Sequence, residues 1–118
     1  MRPETASCLS DALLAAERIP EALAEIAVED YVASWQLESA VERQFLIIGE
    51  AIVRIRQLEP PIFSQLPNSD EIVRFRNLLV HVCDQIDSTR VFGIAKEVLP
   101  RFLPVLRQLM AEAEAQGL

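Results

Sequence analysis

The single histidine of the chain, His81, follows Arg74 by seven residues and Asn77 by four, and Asp84 follows it by three. In a helix those steps put Arg74, Asn77, His81 and Asp84 on one polar stripe. An amide one turn before an imidazole can orient it, and a carboxylate one turn after can hold its other nitrogen. The stripe therefore has the parts of an acid–base site. On spacing alone, a solvated or capping histidine accounts for it better than a catalyst does.

Arg76 falls outside the stripe, because five residues separate it from His81 and turn it about 140° around the axis. Its length lets it reach around the helix edge. The pair would be better enclosed if a second copy brought its own Arg76 and His81 across a two-fold axis. Together they suit metal-free RNA cleavage, in which a base takes the proton from a ribose 2′-hydroxyl that attacks the adjacent phosphate. Histidine moves the proton and arginine stabilises charge on the phosphoryl oxygens, with Asn77 orienting either His81 or the substrate.

The elements that would position these residues are helical. Apolar residues recur at steps of three and four, and strand alternation is nearly absent. A first helix is expected from about Ser7 to Ile26, with a kink at Pro20. A short helix near Val28 precedes a long one over Leu37 to Leu58, whose wide apolar arc suits burial on two sides: one against the core, the other against the core again or a second copy. Gly49 in its middle reads as a point of close packing. Glu59-Pro60-Pro61 stops that helix, and a loop is expected through Pro67. A helix capped by Asn68, Ser69 or Asp70 then runs to about Cys83, with Ile72, Phe75, Leu79, Val82 and Ile86 as its apolar face. A last helix, capped by Asp87-Ser88, should break near Leu99, where Pro100 and Pro104 enter the pattern. The expected fold is all-α, an up-and-down four-helix bundle with extra short helical segments, in one domain over residues 1–118.

Composition narrows the chemistry further. The net charge of −7 argues against a protein that coats nucleic acid through its overall field, though not against a local basic cleft. Two cysteines without CxxC spacing and one histidine make a protein-only zinc cage a poor fit, and no metal or cofactor is expected. Glu38, Glu42 and Glu50 lack the histidines of bundle metal sites, and are expected to be solvated or paired with Arg43, Arg54 or Arg74. No stretch approaches the apolar length of a membrane span, and a cytoplasmic protein is expected.

Arg76-Asn77-Leu78-Leu79-Val80-His81 matches the arginine, four residues, histidine motif of the HEPN superfamily, including the polar residue after the arginine. Ala40-Val41-Glu42-Arg43 with Ile47-Ile48-Gly49-Glu50-Ala51, Ile86-Asp87 and the Leu99-Pro100 step are similar to the HepT-like branch, in its order and spacing. The resemblance implies a HEPN bundle, a homodimer with both motif helices near the dyad, and a metal-independent endoribonuclease toxin that cleaves RNA through Arg76 and His81. It also implies a minimal nucleotidyltransferase antitoxin as partner. In that branch the antitoxin can silence the toxin by transferring AMP to a tyrosine two residues after the motif histidine. Here that position is Cys83, and the only tyrosine is Tyr31, far away in sequence. A thiol does not replace a phenol as an ordinary AMP acceptor, so control must run by another route. Two other readings stay open: a non-catalytic module that binds a nucleotide, RNA or partner, and a helical subunit that presents substrate to a nucleotidyltransferase.

Overall fold

The computed structural model describes the backbone of residues 1–118 and every side chain except that of Cys83. The reading of Cys83 as a regulatory position therefore lies outside the described residues. Seven α-helices make up the fold: α1 (Pro3–Leu23), α2 (Val28–Val32), α3 (Trp35–Leu58), α4 (Pro60–Gln65), α5 (Ser69–His81), α6 (Ser88–Glu97) and α7 (Leu99–Ala115). A 3₁₀ turn, Cys83–Gln85, lies between α5 and α6, and no strand forms among the described residues. The expected all-α bundle is the observed one.

The longest helix, α3, packs against α1 and α5, and α1 packs also against α7. Leu9, Ala12, Ala16, Ile19 and Leu23 of α1 meet Val41, Phe45, Ile48, Ile52 and Ile55 of α3 in one core, closed by Phe102, Leu106 and Leu109 of α7. Alanines on the inner face of α1 bring the two long helices close over many turns. Ser34 caps α3 by accepting from the Leu37 N–H at 3.2 Å, and Asp87 caps α6 by accepting from the Thr89 N–H at 3.0 Å. Among the described residues no helix is long and apolar enough to cross a membrane.

Four boundaries differ from expectation, each for a local reason. Helix α1 starts at Pro3, where proline suits the first turn, and continues through Pro20. It ends at Leu23 instead of Ile26, because Glu25 takes a positive φ of 61°. There Lys96, the only lysine, donates to the Leu23 carbonyl at 3.2 Å and satisfies part of the helix end. The stretch expected as a loop after Glu59 contains α4, since Pro60 at a first helical position starts a turn as readily as it stops the preceding one. Helix α5 stops at His81, where Val82 leaves helical geometry with φ −136° and ψ 42°. The run Val80, Val82 and Cys83 consists of weak helix formers. The expected break near Leu99 is present between α6 and α7, and Pro104 is accommodated inside α7.

Glu59 ties the start of α1 to the α3–α4 corner. Its Oε1 accepts from the Arg2 backbone N–H at 2.8 Å and from the hydroxyl of buried Thr5 at 2.9 Å, while Arg2 Nη1 donates to the Leu58 carbonyl at 3.2 Å. The Arg2 N–H, opposed in part by burial and helped by the Thr5 hydroxyl and the charges of the N-terminus and Arg2, holds the Glu59 carboxyl below the usual carboxylate range. A carboxyl lowered on folding contributes stability above its ordinary titration range and loses it as pH falls through the lowered value. Thermal unfolding followed by circular dichroism from about pH 7 to about pH 3 should show that acid loss in the wild type. Glu59→Gln should be less stable at neutral pH and lose less on acidification; equal acid losses in both proteins would refute the linkage.

Candidate active site

The site is organised where α5 crosses α3. Phe75 and Phe45 meet edge to face, with ring centroids 5.2 Å apart and planes at 82°, an arrangement worth about 0.5–1.5 kcal/mol beyond burial. One turn along α3, Gly49 takes the stem of the Arg76 side chain so closely that a Cβ at position 49 would overlap Arg76 Cβ and Cγ and lie 3.6 Å from its Cα. The close packing expected at Gly49 is thus an approach to Arg76 itself.

The next residue of α3, Glu50, holds the guanidinium. Arg76 Nε and Nη2 donate to Glu50 Oε1 at 2.9 and 2.6 Å, and Nη1 donates to Asn77 Oδ1 at 2.9 Å. The Arg76 side chain is only 22% exposed, so its orientation is set by protein contacts and less by water. A guanidinium has five N–H donors. Three are used here, which leaves one on each Nη for an incoming anion. The expected pairing of Glu50 with Arg43, Arg54 or Arg74 is corrected to Arg76.

The other expected members of the site are arranged differently. His81 is the exposed last residue of α5, and among the described residues no hydrogen bond or ion pair reaches its imidazole. Asn77 holds Arg76 and makes no hydrogen bond to His81. Asp84 sits in the 3₁₀ turn beyond the helix break, so the polar stripe expected to join it to His81 ends at His81. Val82 and Ile86, counted on the apolar face of a longer helix, are half-buried outside it. What the structure brings together is Arg76, Asn77 and Glu50, with His81 a turn and a half further along the same helix. Glu50 was missed as a site residue, although its place directly after the glycine of the close crossing was the available signal.

Remaining titratable groups separate from this cluster. Burial, and then neighbouring Glu38, push the Glu42 carboxyl above its usual range, and Glu42 and Glu38 in turn help burial to raise the Tyr31 phenol. The Tyr31 hydroxyl has no partner among the described residues, and its ring is buried against Phe92 at 5.5 Å. Burial pushes the Cys8 thiol up, partly opposed by the Arg54 guanidinium beside it, which makes Cys8 a poor nucleophile.

The crossing makes Gly49→Ala informative. Alanine would favour the helix by about 0.5–1 kcal/mol over glycine, whereas forcing a methyl into a filled contact costs about 1–3 kcal/mol. The crowded atoms are at the root of the arginine side chain, so the helices themselves must move apart. Denaturant unfolding should show net destabilisation; a stabilised variant would mean that α5 does not seat on Gly49 as described.

No curated protein and no solved structure gives a match to the chain. The family model described as "Ribonuclease HepT-like" matches residues 12–109, a span that contains the α3–α5 crossing, Arg76 and His81. The chain belongs to the HepT-like ribonuclease family.

Proposed function

We propose that the protein is a metal-independent endoribonuclease that acts as the toxin of a toxin–antitoxin pair, with Arg76 and His81 as its catalytic residues. One observation carries the reading. In a chain of a ribonuclease family, Glu50 and Asn77 fix the Arg76 fork with two donors left free, on the helix that ends at His81. His81 takes the proton from the ribose 2′-hydroxyl, and the 2′-oxygen forms its bond to phosphorus as the bond to the 5′-oxygen breaks and that oxygen takes a proton from water. The free N–H groups of Arg76 meet the charge that gathers on the phosphoryl oxygens. The products are a 2′,3′-cyclic phosphate and a 5′-hydroxyl.

Arg76 is turned toward α3, and His81 lies about 140° away around α5. A homodimer in which one copy's Arg76 faces its partner's histidine answers that separation. Exposed Val80 on α5, one residue before His81, supplies apolar area for such a contact. The proposed partner in regulation is a minimal nucleotidyltransferase antitoxin. Its control of this chain differs from tyrosine modification at the family position, because that position is Cys83 and the hydroxyl of Tyr31 is buried.

A second reading, a non-catalytic module that uses Arg74, Arg76, Asn77 and His81 to bind a nucleotide, RNA or partner, draws on the exposed imidazole that no described group orients. Product analysis separates the two. Purified protein should yield RNA fragments ending in 2′,3′-cyclic phosphate, unaffected by EDTA. His81→Ala should slow cleavage roughly 10²–10⁴-fold while remaining a folded helical protein, and Arg76→Ala should behave similarly. A strict metal requirement or full activity of His81→Ala would sink the assignment.

Mixed dimers test the composite site. Reassembling Arg76→Ala with His81→Ala subunits creates one intact site in each mixed dimer if arginine and histidine come from different copies. Activity should then return toward half the wild-type value per mixed dimer. Mixtures as inactive as their parents would place both residues of each site in one subunit.

A further inference from the structure

A cleft of about 740 Å³ opens over the outer side of α3 and is lined in part by Arg76. Arg43 and Arg54 line it with Arg76, on a floor that includes Leu46, Ile47 and Val53. Resting on the ribonuclease reading, we propose that Arg43 and Arg54 form a phosphate-binding track that holds the backbone of single-stranded RNA on either side of the nucleotide presented to Arg76.

Helical geometry fixes the spacing. Eleven residues separate Arg43 from Arg54, which places them within about 20° of one another around α3 and about 16 Å apart along it. The α5 crossing at Gly49 delivers Arg76 between them. Three guanidinium groups spread along one side of α3, the middle one paired with Glu50, suit an extended polyanion better than a compact ligand. Arg43 and Arg54 are exposed and take part in no ion pair among the described residues, so their forks remain available for bidentate phosphate contacts.

Local charge supports the same occupant. The acidic groups lining the cleft are Asp11 and Glu50, and Glu50 is already matched to Arg76. Three cations against two anions leave the cleft positive within a chain of net charge −7. At physiological salt, fields of exposed charges fade over about 8 Å, so RNA in the cleft meets these arginines more strongly than the distant acidic surface. Apolar side chains along the floor give unstacked bases a surface to lie on.

Binding can be measured without turnover in the full chain carrying His81→Ala, with a short fluorescently labelled single-stranded RNA, by anisotropy from about 50 to about 200 mM salt. Adding Arg43→Ala and Arg54→Ala should weaken binding by roughly tenfold or more at low salt. It should also reduce the slope of log affinity against log salt by about 1.4, at about 0.7 for each single-strand phosphate contact. The Arg43→Lys, Arg54→Lys pair should keep most of the slope, and Arg101→Ala with Arg107→Ala on α7 should leave it unchanged. An unchanged slope in the double alanine variant would overturn the track. So would affinity lost only together with dissociation of the dimer in sedimentation velocity, which would assign the arginines to the contact between copies. The absence of cyclic-phosphate products from the wild type would refute the ribonuclease reading, while a reduced salt slope would still support the track.

Discussion

The contact between Gly49 and Arg76 is the constraint on which the site depends. A glycine in the middle of a 24-residue helix gives up helix propensity, and in return α5 comes close enough for the stem of an arginine to lie where a side chain would be. Phe45 and Phe75 fix the crossing one turn away, and Glu50 takes hold of the guanidinium from the adjacent position on α3. Three consecutive kinds of interaction, aromatic packing, backbone approach and a charge-assisted fork, thus act within two turns of α3. The arginine is aimed from α3 by Glu50 and from its own helix by Asn77.

Much of this was legible in the sequence. The period of the apolar residues gave α3 and the α6–α7 break, because long amphipathic stripes and interior prolines have strong local consequences. Gly49 marked a close approach, and the family motif marked Arg76 and His81. Partners across helices were less legible. The spacing of Asn77 to His81 suggested an amide holding the imidazole, but the neighbouring guanidinium of Arg76 takes that amide oxygen at 2.9 Å. Glu50 was one of several acids with arginines in range along one helix, and only the register of α5 on α3 selects Arg76. Short elements and ends were also hidden: Pro60 both stops α3 and starts α4, and a single change of φ at Val82 detaches Asp84 from the stripe.

The two catalytic candidates draw on different parts of the bundle. The α1–α3–α7 core reaches the crossing through Phe45 and so anchors the arginine's end of α5, whereas His81 stands at the last residue of that helix with few constraints on its ring. One catalytic candidate is therefore built into the packed interior and the other is presented at an edge. That division is what a site completed by a second molecule would require: a fixed electrostatic element and an imidazole whose surroundings are supplied on assembly.

The crossing also says how such a chain can drift. With arginine at position 76, position 49 admits no side chain without moving a helix; with a residue lacking Cβ at 76, part of that crowding would be relieved. Because the nearest overlap is with a Cβ that every residue but glycine carries, the exclusion of a side chain at position 49 belongs to the crossing and not to the guanidinium. A chain in which Arg76 gave way to any residue but glycine would still need glycine at 49, so the packing of this crossing would outlast the chemistry it carries.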